Sequence, residues 1–286
     1  MIDASGFDPI DSAEDHIYEL YAIREVPEGQ HLGYFDRSKN EIKISLEESG
    51  IDLTIKQSLS GLNSTSSSTG FICWQSATYF LDWVISKIDN PFYSIFHNNS
   101  NLVVVELGTG VSGICASVLG SRVGRYIATD QKHILKLLQQ NISDNISLPS
   151  NSIKNKQKQK QKQKQKVISH QVDVIEYDWE YPEQGIYNYQ ELFQDASAPL
   201  PDVIIACDTI YNDYLVPYFV KALKSLMSST TFAIVSLQMR DPTTLENFVN
   251  EVITANLKIY SIPTHLLSKH QQKGFVVYYI TANDTN

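Results

Sequence analysis

Carboxylates placed at the ends of apolar runs, with glycines just behind one of them, are the residues of this chain whose spacing suggests chemistry. Residues 103 to 113 read Val-Val-Val-Glu-Leu-Gly-Thr-Gly-Val-Ser-Gly. A strand-like run ends in Glu106, and Gly108, Gly110 and Gly113 follow before a helix-like segment. Glycine lets such a turn approach a ligand where a Cβ would collide. The spacing alone also fits a dinucleotide cradle. Glu106 argues for a different ligand, because a pyrophosphate beside a carboxylate would meet like charge, whereas an ammonium group would be attracted. S-adenosylmethionine carries a sulfonium and an α-ammonium and no phosphate, so the pattern favours it over a dinucleotide. The plainer alternative is a solvated glutamate at a strand end.

Three further run ends carry polar residues. Asp130 closes Ala-Thr-Asp, where a carboxylate can accept both ribose hydroxyls or cap the helix that begins at once. Asp178 and Trp179 follow the third run, where a carboxylate can meet an adenine amine and an indole can flank the ring. The fourth run, Ile204-Ile205-Ala206-Cys207-Asp208-Thr209-Ile210-Tyr211, ends in an acid and an aromatic at the place where a methyl group would be transferred. Ala206 and Cys207 are small and leave room for a cofactor. No base is evident beside Cys207, so it reads as a quiet wall rather than a nucleophile.

The elements needed to hold these residues alternate from Asn101 onward. Strands are expected at Leu102–Leu107, Gly124–Thr129, Gln171–Tyr177, Pro201–Cys207 and Thr231–Leu237, with two late strands at Leu257–Ile262 and Gly274–Thr281. Helices are expected at Gly113–Leu119, Gln131–Ile142, Tyr214–Met227 and Thr243–Ala255, and a Tyr-rich loop after Tyr177. Alternation of this kind gives an α/β fold with a parallel doubly wound sheet, whose ligand sits beyond the carboxyl ends of the strands. Upstream, Ser76–Ile88 has helical spacing. Ile17–Ile23, Glu41–Leu46 and Asp52–Ile55 read as strands of a small β-rich N-terminal extension over residues 1–60, ahead of a main domain over 61–286. Leu62–Thr69 is Ser/Thr-rich and reads as a loop.

The chain has 286 residues, 42% of them hydrophobic, enough for a buried core. Three cysteines without metal-type spacing argue against a disulfide framework or a metal site. No secretory signal and no membrane-length apolar run is evident, so a cytoplasmic monomer is expected. Removing the seven lysines of Lys154–Lys166 from a net charge of −9 leaves −16 on the rest. So acidic a body should repel bare nucleic acid and suit a basic partner. The Lys-Gln tract, within an insertion at 149–167, reads as a solvated loop that could touch RNA.

Together these residues resemble the seven-strand methyltransferases that use S-adenosylmethionine, and within them the family 16 protein-lysine methyltransferases. The motifs are Thr69-Gly70-x-x-x-Trp74, Glu106-Leu-Gly-x-Gly-x-x-Gly113, Thr129-Asp130, Asp178-Trp179 and Asp208-x-x-Tyr211. The resemblance implies a seven-strand Rossmann-like sheet, mostly parallel with its last strand antiparallel. It implies Trp74 against the cofactor, Gly108, Thr109 and Gly110 around its methionine part, and Glu106 near its ammonium. It further implies Asp130 on the ribose, Trp179 and Asp178 at the adenine, Cys207 beside the cofactor, and Asp208 and Tyr211 shaping the acceptor-lysine pocket. The segments Thr69–Ser76 and Ala128–Lys132 look closest to a fungal branch of that family, which implies a large-subunit ribosomal protein as substrate. Another protein substrate, such as a chaperone or elongation factor, and a non-catalytic ribosome-associated role remain alternatives. Enzymes acting on planar nitrogens usually show Asn/Asp-Pro-Pro-Tyr after the fourth strand, and Asp208-Thr-Ile-Tyr has no proline. Cytosine methylation needs a nucleophilic cysteine, often preceded by proline, and Ala206 precedes Cys207.

Overall fold

Apolar runs buried on both faces require helices on both sides of the sheet they form, and β8 (Phe232–Gln238) is buried at every position. The computed structural model describes residues 2–27, 33–62, 69–86, 90–97, 99–146, 171–194 and 198–283. The Ser/Thr-rich loop, apart from its two ends, and the Lys-Gln tract lie outside them. The first part of the chain gives β1 (Asp8–Pro9), α1 (Ala13–Ile23), β2 (Glu41–Leu46), β3 (Ile51–Lys56), α2 (Leu59–Leu62), α3 (Gln75–Ile85) and α4 (Tyr93–Phe96). The alternating part follows with β4 (Asn99–Leu107), α5 (Ile114–Leu119), β5 (Val123–Asp130), α6 (Lys132–Ile146), β6 (Gln171–Glu176), α7 (Pro182–Glu191), β7 (Val203–Cys207) and α8 (Val216–Ser225). Then come β8, α9 (Pro242–Thr254), β9 (Leu257–Ser261) and β10 (Phe275–Ala282).

The main sheet runs β1-β9-β10-β8-β7-β4-β5-β6. Strands β6, β5, β4, β7 and β8 are parallel, and β10 is antiparallel to both β8 and β9. This is the expected mostly parallel sheet with its last strand reversed. An eighth strand, β1, adds an unexpected edge by pairing Asp8 with Ser261 and Pro9 with Tyr260. From β4 the chain builds outward first through β5 and β6, then returns to β7. Strand order therefore reverses between β4 and β7, and the crevice beyond Leu107 and Cys207 is where such sheets bind ligands.

The N-terminal region is not all strand. Ile17–Ile23 lies in α1, where Ser12 caps the first turn by accepting from the Asp15 amide at 3.3 Å, with Glu14 and Asp15 beside the positive helix end. Ala13, Ile17 and Leu20 are buried at helical spacing against α9, while Tyr18 and Ile23 are exposed. Tyrosine and isoleucine favour strands, but the cap and the 3.6-residue burial period prevail. The Tyr-rich stretch after β6 is also helical, as α7. Pro182 starts it, and Gly185 lets it lie on Tyr177, whose ring a Cβ would meet at 2.5 Å.

The β2–β3 hairpin is not part of the main sheet, yet it shares one core with it. Ile42, Ile44, Leu46, Leu53 and Ile55 join the cluster that contains Phe80, Trp83, Ile114 and Leu138. Two asparagines of α6 serve β3 as a substitute strand edge. The Lys56 amide donates to Asn141 Oδ1 at 2.9 Å, and Asn141 Nδ2 donates to the carbonyls of Lys56 at 2.8 Å and Val111 at 2.7 Å. Asn145 brackets Thr54 in the same way, at 2.9 and 3.0 Å. Asn141→Leu leaves three backbone groups without this partner in a buried setting. It is expected to lower stability by about 2–4 kcal/mol, read as a lower urea midpoint at unchanged m-value.

Candidate functional site

The glycine turn after β4 is held from both sides. Thr109 donates its amide to the Thr129 carbonyl at 2.9 Å and accepts from the Thr129 amide on Oγ1 at 3.1 Å. Val111 donates to the Gly70 carbonyl at 2.8 Å. Gly108 and Gly113 have φ of 69° and 54°, in the left-handed region that glycine tolerates. Their surroundings differ. A Cβ on Gly108 would lie 2.8 Å from Trp179 Cζ2 and 2.9 Å from Thr209 Cγ2, so this glycine lets opposite walls of the crevice meet. A Cβ on Gly113 would lie 2.7 Å from Ile142 Cγ1, so that glycine lets α5 pack on α6.

Sheet register carries three acids to this place. Glu106 is only 2% exposed and accepts from the Tyr126 hydroxyl on Oε2 at 2.8 Å. Burial pushes its carboxyl up to about 7. The Asp130 charge adds to the rise, while hydrogen bonds from Tyr126, Thr109 and Cys115 oppose it. Asp130 accepts the Gly110 amide on Oδ2 at 2.7 Å and the Gln131 amide on Oδ1 at 2.8 Å. Burial pushes it up to about 6 despite those two bonds. Asp178 accepts from Gln131 Nε2 at 3.0 Å and from the Glu180 amide at 3.1 Å, so both its oxygens already hold its own turn in shape. Trp179 stands edge-on to Phe219, with ring centroids 5.1 Å apart.

Asp208 follows β7 in a left-handed conformation, φ 61°, pinned by its amide's 2.8 Å bond to the Ser236 carbonyl. Its carboxylate is not an open acid. Arg240, just past β8, grips it with both ends of its guanidinium, Nη1 to Oδ1 at 2.7 Å and Nη2 to Oδ2. The same guanidinium lies 5.3 Å over the ring of Trp74. Trp74 donates its indole N–H to the Thr69 carbonyl at 3.1 Å and pairs across an isolated bridge with Tyr34. Tyr211 is 43% exposed. Burial of its hydroxyl end raises the phenol pKa, against a hydrogen bond with the Thr69 side chain. Cys207 is a partly exposed free thiol, and burial raises its pKa against a hydrogen bond with the thiol of the buried Cys115.

All eleven residues singled out from the sequence line one cavity at the strand-order reversal. Ile72, Ser112, Gln131 and Thr209 complete walls that the sequence did not flag. The Thr209 hydroxyl oxygen is buried with no hydrogen-bond partner among the described residues, where buried polar groups are ordinarily paired. Arg240 also escaped the sequence reading. The only signal for it was a basic residue at a strand end in an acidic body.

A family model described as lysine methyltransferase matches residues 53–197, half of the chain. Ribosomal lysine N-methyltransferase 5 of Zygosaccharomyces rouxii is 29% identical, in an alignment covering 91% of this chain and 95% of the relative. The protein of the same name from Lachancea thermotolerans is 26% identical, over 95% and 96%. Among solved structures, magnesium protoporphyrin IX methyltransferase of Synechocystis with bound SAH covers 73% of this chain and 83% of its own, at 12% identity and a TM-score of 0.42. The chain belongs to the lysine methyltransferase family: it is a protein-lysine methyltransferase, and S-adenosyl-L-methionine is its methyl donor.

Proposed function

We propose that this chain methylates a lysine of a large-subunit ribosomal protein in the cytoplasm, with the donor held in the crevice between β4 and β7. The observation that carries the site assignment is Glu106, a carboxylate buried beside the glycine turn and raised by that burial to about 7. An α-ammonium beside it supplies that charge, and the carboxylate in turn selects for it. Asp130 keeps acceptor capacity for the ribose hydroxyls, since its two backbone bonds use one lone pair on each oxygen. The unpartnered Thr209 hydroxyl and the absent Cβ at Gly108 suit a polar ligand lying close to backbone. Trp179 offers its ring to the adenine. Asp178, already committed to Gln131 and Glu180, supports that wall more than it reaches the ligand.

Bound there, S-adenosylmethionine supplies a methyl carbon that forms a C–N bond to the lysine amine as the C–S bond breaks and its electron pair goes to sulfur. The protein's part is to present a neutral amine. A free lysine, pKa near 10.4, is neutral in only about one molecule in a thousand at pH 7. Asp208 and Tyr211 both line the cavity, where the carboxylate orients the entering amine and the phenol ring attracts its cationic form. The amine loses its proton to water, and no residue has to serve as a fixed base. Geometry and exclusion of water supply most of the rate.

Support for the ribosomal substrate comes from the two relatives, whose names carry it and which align with nearly the whole chain. The charge of −16 outside the Lys-Gln tract suits a basic partner. Intact masses of ribosomal proteins from cells with and without the chain test it. One large-subunit protein should be lighter by about 14 Da per missing methyl. Unchanged masses throughout the large subunit would remove the ribosomal assignment, and full turnover in Asp208→Ala would remove that residue's role.

A further inference from the structure

Asp208 carries more hydrogen bonds than an acid waiting for a substrate should. A carboxylate has about four acceptor sites, two on each oxygen. Oδ1 takes Arg240 Nη1 at 2.7 Å and the Gln238 amide at 3.3 Å. Among the described residues Oδ2 takes Arg240 Nη2 alone. One acceptor site is left, on the oxygen of a residue that lines the cavity. The fork is planar and bidentate, so it fixes the carboxylate plane as well as its position.

Arg240 is itself held in place. Its guanidinium lies over Trp74, and Gly33 closes against it. Gly33 has φ 82°, and a Cβ there would stand 2.1 Å from Gln238 Oε1 and 3.2 Å from Arg240 Nη2. Gln75 donates its amide to the Gly33 carbonyl at 2.7 Å, which ties that approach to the start of α3. One side chain thus joins the ends of β7 and β8 to the entry of α3. We infer that Arg240 is a positioning residue: it clamps the Asp208 carboxylate between Trp74 and the strand ends so that its single remaining acceptor site receives one N–H of the incoming lysine. This rests on the assignment of the acceptor pocket to Asp208.

The test uses the full chain with large ribosomal subunits from cells lacking it, and with labelled S-adenosylmethionine. Arg240→Ala should lose kcat at least tenfold while the KM for S-adenosylmethionine stays within threefold. Millimolar guanidinium should restore part of that kcat. Arg240→Lys keeps the charge without the fork and should stay at least tenfold down. Gly33→Ala, which pushes on the clamp from outside, should lower kcat in the same direction. A reading without turnover runs alongside: guanidinium should raise the melting temperature of Arg240→Ala but not of the parent chain. Parent-like kcat in Arg240→Ala or Arg240→Lys overturns the inference, as does a loss of kcat that guanidinium neither restores nor accompanies with stabilisation. If the parent chain itself transfers no methyl to the subunits, the substrate assignment fails instead, and the melting experiment still decides whether the clamp exists.

Discussion

Glu106→Gln is expected to weaken S-adenosylmethionine binding at least tenfold and, at the same time, to make the ligand-free protein more stable at pH 8. Both effects come from one buried charge. The carboxyl rises from an ordinary 4.5 to about 7 because burial disfavours its ionised form. A carboxyl raised in the folded state contributes its full stability below its unfolded value, and loses it as pH climbs through the folded one. The parent chain should therefore lose stability between pH 4.5 and 7, by an amount on the order of 3 kcal/mol at most. Glutamine can still accept from Tyr126 and carries no charge, so the variant should gain about 1–3 kcal/mol at pH 8 and little at pH 4.5. Asp130, raised to about 6, titrates in the same direction and leaves a smaller slope in the variant. Urea midpoints at the two pH values measure the gain, and calorimetry with the demethylated cofactor measures the loss. A variant that binds as tightly as the parent would show that no cation sits beside Glu106. Such a residue trades stability for recognition, and the ligand returns what its burial costs.

What could be read in the sequence and what could not differ in physical kind. Four of the parallel strands, β4, β5, β7 and β8, were legible because a strand buried on both faces must be largely an apolar run, and no distant partner changes that. The glycine turn and the acids at the strand ends were legible because their chemistry is local. Ile17–Ile23 was misleading because tyrosine and isoleucine favour strands when counted singly, and the stretch after Tyr177, expected as a loop, is helical. Only the cap at Ser12, the proline at 182 and the burial period decide for helix. Strand β1 was beyond reach, since two residues become a strand only by finding the edge at Ser261 and Tyr260. Arg240 was invisible for the same reason. Its role depends on Asp208 and Trp74, which the fold brings to it from 32 residues before it and from the start of α3. Long-range pairs of this sort leave no periodicity to detect.

Gly108→Ala and Gly113→Ala make the same chemical change at two left-handed positions in one turn, and they are expected to fail in different ways. Each pays about 1 kcal/mol for an alanine at positive φ. At Gly113 the new methyl meets Ile142 Cγ1 at 2.7 Å and Leu138 Cδ1 at 2.8 Å. Both belong to α6, and both are buried in a packed core that relaxes little. Overpacking there adds about 1–3 kcal/mol, for a total loss near 2–4 kcal/mol. The part that remains folded should bind cofactor normally. At Gly108 the methyl meets the tip of the Trp179 ring and the Thr209 methyl group, which border the cavity and can move into it. That relief limits the stability loss to about 1–2 kcal/mol, but it moves both walls into the space proposed for the cofactor. Binding should therefore fall at least tenfold in Gly108→Ala and less than threefold in Gly113→Ala, while their urea midpoints rank the other way. If Gly108→Ala bound the cofactor as the parent does, the ligand could not lie against this turn, and the crevice between β4 and β7 would lose its claim to the methyl donor.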